Sequence, residues 1–209
     1  MRGLFVTFEG IEGSGKTTIA KRTSEHLIGE GYNAIFTREP GGTKIGREIR
    51  RLLLDPENSG IHPVTELLLY FADRSEHVRK VISPALKRGD IIICDRFSDS
   101  TLAYQGFGRG IDIDMLNDLD RIARDGVKPD LTFVFDLDVR TGLQRNILIN
   151  KSDRFEMEEI AFHERVRKGY LRIAEKEPDR VRVIDALQPL DSVWEEIRVI
   201  IESYLDNAG

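Results

Sequence analysis

A glycine-rich loop near the N-terminus constrains this 209-residue chain more than any other feature. Residues 10–17 are Gly-Ile-Glu-Gly-Ser-Gly-Lys-Thr, which fits the pattern of a glycine, four residues and then Gly-Lys-Ser/Thr. The run Leu4–Phe8 before the loop predicts a strand, and Thr18–Glu30 after it predicts a helix. In this order, backbone N–H groups surround phosphate oxygens at the positive end of a helix. The sequence therefore predicts a P-loop that binds a nucleoside triphosphate.

Two side chains of this loop have expected roles in chemistry. We expect Lys16 to reach the β- and γ-phosphates as a solvent-facing charge, and the Thr17 hydroxyl to be a ligand of Mg²⁺. The residues expected to contact the triphosphate are Gly10, Ile11, Glu12, Gly13, Ser14, Gly15, Lys16, Thr17 and Thr18.

Composition and charge exclude several classes of protein. The chain is 40% hydrophobic, enough for the core of one α/β domain, and no apolar run reaches the length of a transmembrane helix. The net charge of −5 lacks the basic excess of nucleic-acid binders. The single cysteine, Cys94, suits a reducing compartment, and the N-terminus leads into the first predicted strand without a signal peptide. We therefore expect a cytoplasmic protein of one domain, residues 1–209, without a nucleic-acid or membrane partner.

Strand and helix signals alternate along the whole chain. The predicted strands are Leu4–Phe8, Asn33–Thr37, Ile91–Cys94, Leu131–Leu137 and Val181–Ile184. The predicted helices after the first are Ile45–Leu54, Val64–Lys87, Ser98–Tyr104, Ile113–Asp125, Thr141–Leu148, Glu156–Lys176 and Ser192–Leu205. Alternating elements with right-handed crossovers predict an α/β fold with a parallel sheet covered by helices on both faces. Ligands of such sheets bind at the carboxyl ends of the strands.

Charged residues follow two of these strands. Asp95 and Arg96 come directly after the third strand, where P-loop proteins place a carboxylate that meets Mg²⁺ directly or through water. Arg38 ends the second strand and is placed to meet a second phosphate. The turn after it contains Glu39-Pro40, a peptide bond that can be cis.

Two helical segments predict a pocket for a base. Phe71 and Arg74 are three residues apart and share one helix face, where an aromatic ring can stack on a base and an arginine can meet its edge or a phosphate. Polar groups that can read a base edge follow Arg96, namely Ser100, Thr101, Tyr104 and Gln105. A third segment, about residues 146–154, has positive charge at Arg145, Lys151 and Arg154 and predicts a lid that closes over phosphates.

Taken in order, these segments resemble the thymidylate kinases of the bacterial and archaeal type. The matching segments are Phe8–Thr18, Thr37–Thr43, Leu68–Arg74, Asp95-Arg96 with Ser100–Gly106, and Asp153–Glu156. The resemblance implies the nucleoside monophosphate kinase fold, with a five-stranded parallel sheet, and a homodimer. It also implies transfer of the γ-phosphoryl of ATP to thymidine 5′-monophosphate (dTMP) with Mg²⁺, a step toward dTTP.

The resemblance assigns roles to the acceptor-site residues. Arg38, Arg74 and Arg96 surround the acceptor phosphate. Phe71 stacks on thymine, and Arg74, Thr101 and Gln105 face the edge of the base. The implied dTMP-binding set is Glu12, Arg38, Phe71, Arg74, Arg96, Ser100, Thr101, Tyr104 and Gln105, with Glu12 near the sugar 3′-hydroxyl and Tyr104 over the deoxyribose.

One position departs from part of the family. Gly13 stands where one branch has an arginine, so we expect the catalytic cation to come from the lid. Arg154 is the predicted cation, with Lys151 as the alternative, and Arg145 is expected near adenine. Two other functions stay open: a kinase for another nucleoside monophosphate or a deoxynucleoside, and a P-loop switch. A switch is less favoured because the chain lacks the Asn/Thr-Lys-x-Asp segment that reads guanine.

Overall fold

The computed structural model describes residues 3–147, 155 and 158–208. Within them, five parallel strands form one sheet in the order β2-β3-β1-β4-β5. The strands are β1 Phe5–Gly10, β2 Ala34–Arg38, β3 Ile91–Asp95, β4 Leu131–Asp136 and β5 Val181–Asp185. Each strand lies where the sequence predicts it, with small shifts at the ends. The predicted α/β class with a parallel sheet is confirmed.

The strand register brings the predicted functional residues to one edge of the sheet. Phe8 and Arg38 both pair with Asp95, one from each side of β3. Gly10, at the end of β1, pairs with Phe135 of β4. Because all strands point the same way, the P-loop, Arg38 and Asp95 emerge together at the carboxyl edge.

The helices connect the strands and cover both faces of the sheet. They are α1 Lys16–Gly29, α2 Lys44–Leu54, α3 Pro63–His77, α4 Ser83–Arg88, α5 Ser98–Thr101, α6 Ile113–Arg124, α7 Val139–Ile147, α8 Ile160–Lys176 and α9 Leu190–Ala208. Val6 and Ile93 belong to one apolar cluster, whereas Phe5 and Ile92 belong to another. Neighbouring strand residues point to opposite faces, so both faces are packed. Among the described helices, none is both long and apolar enough to cross a membrane.

Two predicted helices are interrupted by wider turns. The predicted helix Val64–Lys87 consists of α3, a π-helical turn at Val78–Ile82 and α4. Pro84 lies in the first turn of α4, and because proline lacks an N–H it cannot complete the ladder of a continuous helix. The helix predicted at Ser98–Tyr104 is α5 followed by a π-helical turn at Leu102–Gly108. Such turns are frequent at functional sites.

Candidate active site

A cleft opens at the carboxyl edge of the sheet, between the P-loop and the ends of β2 and β3. Most of the predicted site residues line it: Glu12, Gly13, Gly15, Lys16, Thr17, Thr18, Arg38, Arg74, Asp95, Arg96, Ser100, Thr101, Tyr104 and Gln105. Gly10, Ile11, Ser14, Phe71 and Arg145 do not line this cleft. The peptide bond between Glu39 and Pro40, which also line the cleft, is cis, as the sequence allows.

The P-loop wraps around its own lysine. Gly13 and Gly15 have positive φ angles of 71° and 83°, and α1 begins at Lys16 without a side-chain cap. The first N–H groups of α1 therefore remain open to an anion. Lys16 is 7% exposed and donates a hydrogen bond from Nζ to the Ile11 carbonyl at 3.1 Å, so the predicted solvent-facing position is wrong. Burial, helped by the nearby Arg96 charge, lowers the pKa of Lys16 to about 8.

Thr17 and Asp95 form a pair of oxygen ligands. Thr17 Oγ1 donates to Asp95 Oδ2 at 2.5 Å, which links the first turn of α1 to the end of β3. The other carboxylate oxygen, Asp95 Oδ1, is buried and has no hydrogen bond to any described residue. A hard cation such as Mg²⁺ prefers oxygen ligands of this kind. The two residues therefore fit the predicted magnesium site.

Arg96 is held in an unusual backbone conformation. Its φ of 69° is in the left-handed region, which costs a non-glycine residue roughly 1–2 kcal/mol. One nitrogen, Nη2, donates to Glu12 at 3.1 Å and to Tyr104 at 3.2 Å. The other, Nη1, donates to Ser100 and Tyr170 at 3.1 Å each. These partners fix the guanidinium plane over the cleft, and such strain is characteristic of functional sites.

Glu12 is a buried carboxylate surrounded by donors. Its Oε1 accepts from the Tyr104 hydroxyl at 2.6 Å and from Arg96. Its Oε2 lies 3.5 Å from Nδ1 of the fully buried His163, on α8. Burial alone would raise the pKa of Glu12, but the contact with His163 and the charges of Arg96 and Lys16 lower it below the usual range. Glu12 is therefore an anion at the centre of a positively charged cleft.

A third arginine joins Arg38 and Arg96 at the cleft. Arg50, on α2, lines the cleft and donates from Nη1 to the Pro40 carbonyl at 3.0 Å. Burial and the positive charge of Arg38 lower the pKa of Arg50, so these cations are crowded and favour an anionic ligand. No sequence-based prediction named Arg50. Its position beside Ile49, on the buried face of an amphipathic helix, was the available signal.

Arg74 is enclosed by protein partners and is 1% exposed. Its three nitrogens donate to Glu39 at 2.9 Å, to Asp120 at 2.9 Å and to Thr101 at 2.8 Å. Glu39 also contacts the buried ring of His77 at 2.9 Å. Removing Arg74 would leave two acidic side chains without their cation, a loss of about 3–5 kcal/mol for a buried pair. Arg74 therefore reaches the cleft from a rigid ionic network.

Of the two neighbouring aromatic residues on α3, Tyr70 lines the cleft and Phe71 does not. Phe71 packs in an apolar cluster with Leu67 and Leu116, so its predicted place against the base is wrong. Consecutive helix residues are rotated by about 100°, and packing of α3 against α6 turns Phe71 inward and Tyr70 toward the cleft. Tyr70 lies four residues before Arg74, and residues four apart share a helix face just as residues three apart do.

The far side of the P-loop contacts α7. Gly13 packs so tightly on Gly142 that a Cβ at Gly13 would lie 2.0 Å from the Gly142 carbonyl oxygen. Arg145, farther along α7, donates to the Ala186 carbonyl at 2.9 Å. Its expected contact with adenine stays a prediction.

The lid predictions fall mostly on undescribed positions. Lys151 and Arg154 lie outside the described residues. Phe155, which follows them, is buried, lines the cleft and meets the Tyr104 ring edge-on at a centroid distance of 5.7 Å. Phe155 therefore brings the end of the predicted lid segment into the cleft, beside Tyr104.

Comparison with known proteins gives one consistent answer. The family model for thymidylate kinases matches residues 8–197. A thymidylate kinase from Desulfovibrio desulfuricans is 49% identical, over 99% of this chain and 98% of that protein. Another, from Desulfosudis oleivorans, is 51% identical over 91% of this chain and 92% of its own length. A crystal structure of thymidylate kinase from Ehrlichia chaffeensis has a TM-score of 0.78 at 38% identity, covering 96% of this chain and 99% of that one.

Proposed function

Because the chain belongs to the thymidylate kinase family, we propose that it transfers the γ-phosphoryl group of ATP to dTMP, giving dTDP and ADP on the way to dTTP. The single observation that supports this most directly is the arrangement of one cleft. Lys16 and Thr17 line it from the P-loop, and Arg38, Arg50 and Arg96 line it from the neighbouring strand ends and α2. A nucleoside triphosphate and a second phosphate can therefore meet end to end.

On the donor side, the chain provides backbone donors and one lysine. The N–H groups at the start of α1 bind phosphate oxygens, and Lys16 neutralises charge on the β- and γ-phosphates. Thr17 and Asp95 would hold Mg²⁺, which neutralises phosphate charge when it is bound. Phosphoryl transfer depends on positioning and charge neutralisation, so no further catalytic base is required.

On the acceptor side, each group of residues meets one part of dTMP. Arg38, Arg50 and Arg96 bind the 5′-phosphate through charge-assisted hydrogen bonds. Glu12 accepts from the 3′-hydroxyl of the sugar, and Tyr104, held by Glu12, crowds the 2′ position. The base is covered by Tyr70 and read at its edge by the other predicted contacts, Arg74, Ser100, Thr101 and Gln105.

The remaining cation is assigned to the lid. We propose that residues 1–209 form one catalytic domain whose lid, about 146–154, closes over the phosphates. Gly13 leaves no room for a side chain because Gly142 lies against it. Arg154 is therefore the expected second cation at the transferring phosphoryl group, with Lys151 as the alternative.

We also propose that the protein is a cytoplasmic homodimer. Each of the neighbouring helices α2, α3 and α6 has two exposed apolar side chains on one face. These are Ile45 and Leu52, Val64 and Leu68, and Met115 and Ile122. Because α3 contacts both α2 and α6, these faces can be covered together by a second copy. The buried, reduced Cys94 is compatible with a cytoplasmic site.

The experiment is a comparison of acceptors with ATP as the common donor. We expect dTMP to be preferred over dUMP, and both far over AMP, GMP and UMP. A methyl group in an apolar pocket contributes about 1–3 kcal/mol, so dUMP should be a poor substrate and not an inert one. Lys16→Ala, prepared in parallel, measures the background from contaminating kinases. Turnover of AMP or GMP at the rate of dTMP would instead support a kinase for another nucleotide.

A further inference from the structure

A buried carboxylate orients the amide of Gln105. Gln105 is 1% exposed and lines the cleft, four residues after Thr101, the partner of Arg74. Its Nε2 donates to Glu66 Oε1 at 2.8 Å. Glu66 lies on α3, is also 1% exposed and does not line the cleft. Glu66 therefore contacts a base-reading residue from behind.

An arginine pairs with the Glu66 carboxylate. Arg109 places Nε and Nη2 at 3.4 Å from the two oxygens of Glu66. The same guanidinium pairs with Glu158 at 2.6 Å and lies over the Phe162 ring at 4.7 Å from its centroid. These contacts hold the cation beside Glu66, and a carboxylate paired in this way only accepts hydrogen bonds.

The Glu66 carboxylate leaves one orientation for the Gln105 amide. If the amide turned by 180°, its carbonyl oxygen would face the Glu66 carboxylate, and two acceptors would meet without a proton in a buried site. The NH₂ group therefore faces Glu66. Among the described residues, Gln105 makes no other side-chain hydrogen bond, so its Oε1 is the amide atom left for a ligand in the cleft.

We infer that Glu66 is a positioning residue that makes the site select a pyrimidine with a hydrogen at N3, and reject cytosine. The inference rests on the proposed function. Thymine and uracil present an N3–H donor beside the O4 acceptor. Gln105 Oε1 accepts from the first, and the guanidinium of Arg74 donates to the second. Cytosine presents a lone pair at N3 and an amino group at C4, so both contacts would be mismatched.

The test is Glu66→Gln, with kcat/KM measured for dTMP and for dCMP. A glutamine at 66 can donate as well as accept, so the Gln105 amide is free to turn and offer NH₂ to N3 of cytosine. We expect the preference for dTMP over dCMP to fall about tenfold to a hundredfold, the range for one correctly oriented base contact. A variant that keeps the wild-type ratio, with both activities lowered equally, would overturn the inference.

Two further variants separate this role from a merely structural one. Arg109→Gln breaks the same ion pair but leaves the carboxylate facing Gln105, so the dTMP preference should persist even if both activities fall. The exchange Glu66→Gln/Gln105→Glu keeps one carboxylate and one amide, and the carboxylate at 105 can only accept from N3–H. This exchange should restore the dTMP preference, and it gives a result even if Glu66→Gln does not fold. Loss of the preference in Arg109→Gln, or no recovery in the exchange, would refute the role of Glu66.

A failure of this inference can be told apart from a failure of the proposed function. If the wild-type protein does not phosphorylate dTMP, the proposed function has failed. If the wild type phosphorylates dTMP but its dTMP-to-dCMP ratio does not depend on Glu66, only the inference about Glu66 has failed.

Discussion

Replacing Gly13 with alanine should destabilise the fold in two ways, because the P-loop leaves neither a suitable backbone conformation nor room for a Cβ at this position. The first is conformational, since a φ of 71° costs a residue with a Cβ roughly 1–2 kcal/mol. The second is steric. The new Cβ would lie 2.0 Å from the Gly142 carbonyl oxygen and 2.8 Å from the carbonyl carbon. Both atoms are backbone, so no flexible side chain can move aside, and the P-loop and α7 must separate.

Forced overpacking of this kind costs about 1–3 kcal/mol. With the conformational cost, the free energy of unfolding should therefore fall by about 2–5 kcal/mol in Gly13→Ala. Gly110→Ala is the matched control, because Gly110 has a φ of 74° and nothing within 4 Å of a new Cβ. It should lose only the conformational part, about 1–2 kcal/mol.

Urea unfolding of both variants gives the stability difference, and steady-state kinetics give its effect on the donor site. Gly13→Ala should also raise the KM for ATP, because the displaced loop no longer matches the phosphates, whereas Gly110→Ala should leave that KM unchanged. Equal stability losses in the two variants would refute the reasoning. They would show that α7 yields freely, and that an arginine at position 13 is not excluded by packing.

Three further changes test other parts of the site. Lys16→Met should reduce kcat strongly. It should also raise the free energy of unfolding at pH 7 by about 3 kcal/mol, because a pKa near 8 means that folding buries the lysine charge at an energetic cost. In denaturation curves this gain in stability should be full below pH 8 and vanish toward pH 10.5, and a loss of stability at pH 7 would contradict it. Arg96→Ala should raise the KM for dTMP more than the KM for ATP, with the exposed Arg121→Ala as a control that changes neither; equal effects on both substrates would move Arg96 to the donor site. Arg154→Ala should lower kcat by at least about two decades with modest changes in the KM for either substrate. If kcat instead falls strongly in Lys151→Ala and hardly changes in Arg154→Ala, Lys151 is the catalytic cation.

The sequence predicted the elements whose determinants are local. The P-loop depends on glycines at fixed offsets, and the strands are short apolar runs bounded by turn residues, so both are visible within about ten residues. The carboxyl-edge positions of Arg38 and Asp95 followed from the rule that parallel strands end together. The structure confirms the sheet and places both residues at the cleft.

Contacts between distant segments were decided by the tertiary structure. Whether Tyr70 or Phe71 faces the cleft depends on how α3 rotates against α6, and the two residues have almost the same intrinsic preference for either position. Lys16 carries no local sign of burial, because the side chains that surround it belong to other elements.

The amino-acid sequence by itself determined the P-loop, the parallel α/β sheet and the identity of most residues at the carboxyl edge of that sheet. Hydrophobic runs and turn residues have this power because they act between near neighbours in the chain. Only the folded molecule determined which charges meet. Arg74 pairs with Asp120, which is 46 residues away. Gln105 donates a hydrogen bond to Glu66 across 39 residues, and Arg96 donates one to Tyr170 across 74. Electrostatic and packing energies depend on distance in space and on exclusion of water, and neither quantity is encoded by position along the sequence.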